Sequence, residues 1–347
     1  MKKVYVAMSG GVDSSVAAAL LKEKGHDVTG VFFKPWQPEA GLAFCNWQKD
    51  RQDAMAVTEV LGIPFKTWDF SKEYKNKVGD YMIEAYRKGT TPNPDVMCNK
   101  EIKFGLFLKK ALKERVDFIA TGHYVRVAKK NKSYLLKQAK DKNKDQSYFL
   151  WTLTQKELER TLFPVGNYTK PEVRKLAKKF GLPTFDKKDS QGVCFIGQLD
   201  MKEFLKKYID SKQGNIILSE TGQVIGEHDG AAYYTTGQRH GLNISNGGGP
   251  YYVSDKDLKK NLVFVTKDEK KLGRKEIAVI DINWIGPIKK TGIKIKARYS
   301  TLSMPAEISI KGSSIKIKTI KPIRAVTPGQ SVVFYRGQEM LGGGIIT

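Results

Sequence analysis

The chain has 347 residues, 40% of them hydrophobic, with 60 Lys plus Arg against 36 Asp plus Glu and a net charge of +24. That is globular composition over about two to three domain lengths. No run reaches the roughly 18 apolar residues of a membrane span, and the start, MKKVYVAMSGGVDSS, meets Gly and Asp too early for a signal peptide. A cytoplasmic protein with no membrane partner is expected. Cys45, Cys98 and Cys194 lie 53 and 96 positions apart, which fits neither a disulfide scaffold nor a Cys-x-x-Cys zinc site, and no residue is assigned as a metal ligand.

From Lys2 to about Met201 short apolar strands alternate with helices. VYVAM (4–8), DVTGVFF (27–33) and VDFIAT (116–121) read as strands, and the alternation predicts βαβ units on a parallel sheet. Ala54, Val57 and Leu61 mark one helical face, stopped by Gly62 and Pro64. Thr169 and Glu172 form a capping-box pattern, and Val173, Leu176, Ala177 and Phe180 make one apolar stripe ending at Gly181. KEFLKKYI (202–209) reads as a further helix.

Beyond it the character becomes Gly-rich with short β-like runs, NIILSETGQVIG and AAYYTTGQ. From Ile277 onward strict alternation dominates, in IKIKARYS, AEISIKG and SIKIKTIKPIRAV, which predicts a small antiparallel barrel or sandwich with one basic face. The expected division is 1–209, 210–274 and 275–347. Residues 100–144 carry 14 basic against 4 acidic side chains, and residues 270–325 carry 14 against 3. Solvated lysine loops would account for part of this, but two separate concentrations favour an extended anionic partner whose binding weakens as salt rises.

Residues 4–25 read as a strand, a Gly-Gly turn and a helix whose first turn holds Asp13, Ser14 and Ser15. Free N–H groups at the helix start and the serine hydroxyls suit phosphate oxygens. No Lys precedes the Ser as a Walker-type loop requires, and the Gly spacing fails G-x-G-x-x-G. Gly122 and His123 follow the strand ending at Thr121, where a second parallel strand would meet the same crevice. His123 reads equally as a capped loop histidine. TTPNPDVMCNKEIKFG (90–105) reads as a loop, with Pro92 and Pro94 blocking a helix before Asp95 and Cys98. FDKKDSQGVCFIG (185–197) places Cys194 near Lys187 and Lys188, cations that favour a thiolate. A buried, inert thiol is the commoner fate of a single cysteine, and Cys45 is left in that class.

Ser9-Gly10-Gly11-Val12-Asp13-Ser14-Ser15 resembles the SGGxDSS motif of the ATP pyrophosphatase (PP-loop) superfamily, in which ATP is cleaved between its α and β phosphates and the substrate is adenylated. With DAMAVTEVLGIP, TPNPDVMCNKEIKFG, ATGHYVR, KDQSYFLWTL, DSQGVCFIG, TTGQRHGL and RYS, essentially the whole chain resembles the tRNA-specific 2-thiouridylase family within it. The resemblance implies an adenine nucleotide alpha hydrolase-like domain, a small central domain and a C-terminal β-barrel that grips tRNA. It implies ATP and Mg2+ as cofactors, with Ala7, Met8, Ser9, Gly10, Gly11, Val12, Asp13, Ser14, Phe33 and Gly122 around ATP. Many relatives carry Met where Phe33 stands, and an apolar wall survives that exchange.

By the same resemblance Cys194 would carry a persulfide, Cys98 would attack it, and Asp95 would act as acid or base on the uridine. Asn93, Pro94 and Asp95 would contact the target base. Lys144, Asp145 and Gln146, with Tyr299 and Ser300, would contact the rest of the tRNA. The implied partners are tRNAs with a wobble uridine, those for Lys, Glu and Gln, and a sulfur-relay protein or cysteine desulfurase. Because the two thiols sit on segments 96 positions apart, at least one segment is expected to move when tRNA binds. A small-molecule AMP-forming ligase would explain the ATP loop but neither cysteines nor charge. A non-catalytic RNA binder with a degenerate nucleotide site would lose nothing measurable on Cys194→Ser.

Overall fold

The computed structural model describes residues 1–38, 47–189, 200–244, 248–287 and 291–347. Cys45 and Cys194 lie outside the described residues. The N-terminal part is organised by a parallel sheet of β1 (Lys3–Met8), β2 (Asp27–Lys34), β3 (Phe65–Asp69), β4 (Phe118–Ala120) and β7 (Thr161–Leu162), in the order β3-β2-β1-β4-β7. Residues Val4, Val6, Val28 and Val31 are buried, as expected of strands covered on both faces. Helix α1 (Val12–Glu23) buries Val16 through Leu21 against this sheet, and α2 (Trp47–Val60) buries Ala54 and Val57. The chain leaves β1 toward β2 on one side and reaches β4 on the other. The carboxyl ends of β1 and β4 therefore open the crevice where such sheets take ligands.

The helix Lys170–Lys179 forms with its capping box intact: Thr169 Oγ1 accepts from Glu172 N, and Thr169 N donates to the Glu172 carboxylate at 2.6 Å. The segment expected as a loop at 90–105 is instead mostly helical. Asn93 caps it through Oδ1, which accepts from Val96 N at 3.2 Å; one α-turn runs Pro94–Met97 and wider π-type turns run Cys98–Leu106. Proline obstructs a helix interior but not its first position, where its missing N–H would have had no partner. Pro94 starts the helix.

The middle of the chain forms a sheet of β8 (Gly214–Leu218), β9 (Val224–His228), β10 (Tyr252–Asp257) and β11 (Leu262–Thr266), ordered β10-β11-β8-β9. AAYY, read as β-like, is a single 3-10 turn at Ala231–Tyr233. Tyr233 and Tyr234 are both buried, and the Tyr233 hydroxyl donates to the Ile209 carbonyl at 2.6 Å, so consecutive rings both enter the core instead of alternating. The C-terminal part is a closed antiparallel barrel of β12 (Gly273–Trp284), β13 (Lys294–Lys296), β14 (Met304–Lys311), β15 (Ser314–Arg324), β16 (Ser331–Arg336) and β17 (Glu339–Ile346). β12 pairs with β17 to close it. Ile315 and Ile317 fill the interior while Lys316 and Lys318 face out, the period-two split read from the sequence. A hairpin of β5 (Val125–Lys130) and β6 (Ser133–Gln138) from the N-terminal part joins this barrel, Met340 of β17 pairing with Leu136. No described helix is long and apolar enough to cross a membrane.

Candidate active site

The turn after β1 is built for close approach. Gly10 has φ +71° and packs on the backbone of Asp50, where a side chain would collide with its carbonyl. At the end of β4, a Cβ on Gly122 would stand 2.6 Å from Ser14 N, so glycine lets the second strand touch the start of α1. Gly11 caps α1 without a side-chain hydrogen bond. The serine hydroxyls, expected to face phosphate, bond inward: Ser14 Oγ donates to Gly11 O at 3.1 Å and Ser15 Oγ to the same carbonyl at 2.8 Å. Both serines are buried, and their hydroxyls hold the turn's shape while backbone N–H groups of the first helical turn remain its anion-facing donors.

Ser9, Gly11, Val12 and Asp13 line a cavity of about 290 Å³ together with Tyr124, Lys144, Gln146, Lys170, Lys188, Asp189 and Tyr299. Lys170 Nζ lies 2.8 and 2.9 Å from the two oxygens of Asp13, and 2.8 Å from Asp189. The Tyr124 hydroxyl donates to Asp13 at 2.7 Å, and its pKa is raised by burial and by the Asp13 charge. Asp189 also receives Lys144 at 2.7 Å and Arg174 at 3.1 Å. Burial works against its ionisation, but Lys144 and Lys170 outweigh it and hold the carboxyl down to about 2.

The other nucleotide-site expectations lie behind this wall. Met8 and Ser14 are buried under the turn, Ala7 packs partly buried on the core, and Phe33 is enclosed by Phe70 and Phe107 with ring centroids 5.3 and 4.8 Å away. His123 bonds through Nδ1 to the Thr121 hydroxyl at 2.8 Å and packs on Phe104; burial, with Lys103, pushes its pKa well below the usual value. It is a buried, capped loop histidine in this structure.

A second cavity of about 280 Å³ is lined by Asn93, Tyr148, Thr235, Arg298, Tyr299, Thr327 and Gln330. It lies where all three parts of the chain meet. Gln330 Nε2 donates to the carbonyls of Thr91 and Pro92 at 3.1 Å each, tying the barrel to the segment that carries Asp95 and Cys98. Asp95 is half-buried and Cys98 fully buried, three positions apart on one helical face. Asn99 donates to the Phe149 carbonyl at 3.1 Å, and the Phe149 ring lies 4.6 Å from Tyr299. Tyr299 thus borders both cavities.

Of the other expected RNA contacts, Ser300 is exposed on the turn after β13 and Pro94 is half-buried. Gln146 accepts from Tyr124 N at 2.9 Å. Asp145 is 3% exposed, and its carboxylate accepts from Ala139 N, Ser147 N, Ser147 Oγ and Gln138 Nε2; it braces the turn that presents Lys144 and Gln146. Lys187, read as a cation beside Cys194, is spent on Asp50 and Asp53 at 2.7 and 2.5 Å. Sequence reasoning missed Lys170, Tyr124, Asp189, Arg298 and Gln330. Arg298 could have been found from its place in the ARYS run; Lys170 sits in a helix whose stripe signals only core.

Residues 2–198 match the family description "tRNA methyl transferase HUP domain", residues 202–267 "tRNA methyl transferase PRC-barrel domain", and residues 274–346 "Aminomethyltransferase beta-barrel domain". Among solved structures, distant similarity is found to a 4-thiouridine synthetase in complex with RNA and bound ATP (16% identity, TM-score 0.37, 60% of this chain and 50% of that one). It is also found to NMN synthetase from Francisella tularensis (18%, TM-score 0.36, 58% and 71%). The tRNA-specific 2-thiouridylases MnmA of Bacillus cytotoxicus and Bacillus cereus ATCC 14579 are 44% and 43% identical over 99% of this chain and 94% of theirs. With that identity along nearly its full length, the chain belongs to the MnmA family of tRNA-specific 2-thiouridylases.

Proposed function

We propose that this chain is an ATP-dependent tRNA-uridine 2-sulfurtransferase of the cytoplasm, acting on C2 of the wobble uridine. One observation carries the reading: the cavity of the SGGVDSS turn and the cavity beside Asn93, the cap of the helix that carries Asp95 and Cys98, share a wall, Tyr299. Nucleotide cleavage and thiol chemistry can then serve one base. The turn's N–H groups and Lys170 would receive the phosphates of ATP. Asp13, held in this structure by Lys170 and Tyr124, is the carboxylate beside the turn that a magnesium ion arriving with those phosphates would meet, an arrangement that suits a cation holding most of its shell as substrate oxygen and water.

The chemistry follows from a poor leaving group. The C2 oxygen of uridine attacks the α-phosphorus, pyrophosphate departs, and Asp95 takes the N3 proton. That oxygen now belongs to a departing AMP. The outer sulfur of a persulfide on Cys194 attacks C2, and AMP leaves with the oxygen. The Cys98 thiolate then attacks the Cys194 sulfur; the bond to the transferred sulfur breaks and Asp95 returns its proton to N3, leaving a thiocarbonyl on the base and a Cys98–Cys194 disulfide. The two electrons that reduce the persulfide sulfur come from the cysteine pair, and a thiol reductant must reset it. A base reached this way must leave its stack, and the Phe149–Tyr299 pair offers a ring surface beside the cavity. The exposed lysines of the barrel would hold the RNA backbone.

The test is mass analysis of tRNA nucleosides after incubation with ATP and a persulfide donor. The wild type is expected to give 2-thiouridine. Cys98→Ala and Cys194→Ala are each expected to reduce it below detection while pyrophosphate release still depends on added tRNA. Full thiolation by both variants would overturn the reading.

A further inference from the structure

The cations of the nucleotide crevice already hold an anion that belongs to neither ligand. Asp189 receives Lys144 on one carboxylate oxygen, at 2.7 Å, and Lys170 and Arg174 on the other, at 2.8 and 3.1 Å. The two lysines differ in depth: the Lys144 side chain is 41% exposed and faces outward, whereas Lys170 is 10% exposed and lies against Asp13. An outer cation reachable by RNA and an inner cation reachable by a nucleotide are thus bridged by one side chain. We propose that Asp189 is an internal counter-anion that both anionic ligands displace, and that it thereby couples nucleotide binding to tRNA binding. This rests on the functional reading given above.

The physical argument is a linkage. A phosphate bonded to Lys170 competes with Asp189 for the same donor and repels its charge, and so does a phosphate bonded to Lys144. Each ligand alone must shift the carboxylate out. Once one has done so, the second meets cations already released, so each ligand tightens the other by the same factor. Held at about 2, the Asp189 carboxyl stays charged through neutral pH and does not yield its place by protonation. Lys188, the neighbouring cavity residue, is a cation that the displaced chain can meet.

The experiment is calorimetric titration of the full chain with magnesium and α,β-methylene ATP, whose bridge resists cleavage, with and without saturating unmodified tRNA transcript. In the wild type, tRNA is expected to tighten the analogue about tenfold, and the analogue to tighten tRNA by the same factor. In Asp189→Asn the analogue alone should bind about as tightly as it binds the tRNA-loaded wild type, with the coupling factor falling toward one; Asp189→Glu should restore it. A purely structural role for Asp189 would lower affinity and leave the factor unchanged. Equal coupling in wild type and Asp189→Asn overturns the proposal. So does absence of coupling in the wild type, a measurement that holds even if the variant fails to fold. Failure of the wild type to bind the analogue under any condition overturns the functional reading itself, and the proposal with it.

Discussion

The crevice at the end of β1 and the C-terminal barrel are both basic, and they keep their charge differently. In the crevice, Lys170, Lys144 and Arg174 converge on Asp13 and Asp189 within about 3 Å. On the barrel, Lys316 and Lys318 stand exposed between buried isoleucines, and Arg324 pairs with Glu269 at 3.3 Å. A paired cation is fixed in place and can be handed to one ligand group in one position. An unpaired surface lysine is mobile and suits a polyanion met in many registers. On the proposed function, chemical precision would belong to the sheet and general affinity to the barrel.

The sharpest way to break this contrast is Lys170→Met. It leaves Asp13 and Asp189 facing one cavity without their shared cation. Both carboxylates retain side-chain exposure of about a third, so water softens the penalty, and a loss of about 2 kcal/mol in urea unfolding is expected. Lys316→Ala should move stability by less than about 0.5 kcal/mol. Similar losses at the two positions would erase the distinction.

RNA binding sharpens it from the other side. Lys316→Ala with Lys318→Ala should flatten the slope of log affinity against log salt by about 1 per lysine that touches phosphate. Nucleotide binding without RNA should not change. An unaltered slope, measured by filter binding over a salt series, would take the barrel out of the RNA interface.

The smallest expected effect is acid sensitivity. The Asp189 carboxyl is held at about 2, below the unfolded value near 3.9. Its ion pairs therefore contribute stability above about pH 4, and that contribution fades as pH falls toward 2. The difference in Tm between wild type and Asp189→Asn should shrink over that window. A difference that grows on acidification would contradict the ion-pair geometry.

Much of this architecture is legible in the sequence because it rests on local or periodic signals. The capping box at Thr169 and Glu172, the strand-turn-helix around Gly10 and Gly11, and the alternation of Ile315, Lys316, Ile317 and Lys318 each state a conformation within a few residues. The helical start at Pro94 was hidden because proline punctuates loops and opens helices alike. The hairpin 125–138 joins the barrel through Leu136 and Met340, a pairing across two hundred positions that no local pattern encodes. Phe33 lies against Phe70 and Phe107, whereas its strand position alone left its facing open.

The residues alone determined the strand-turn-helix at 4–25, the three-part organisation of strand types and the basic face, since each follows from spacing, composition and backbone preference. Only the tertiary structure decided which lysines stand beside that turn, that Asp189 holds them, and that Tyr299 borders both cavities. That cavity joins residues up to 290 positions apart, and electrostatic and packing energies act across distances in space that carry no trace in the linear order of the chain.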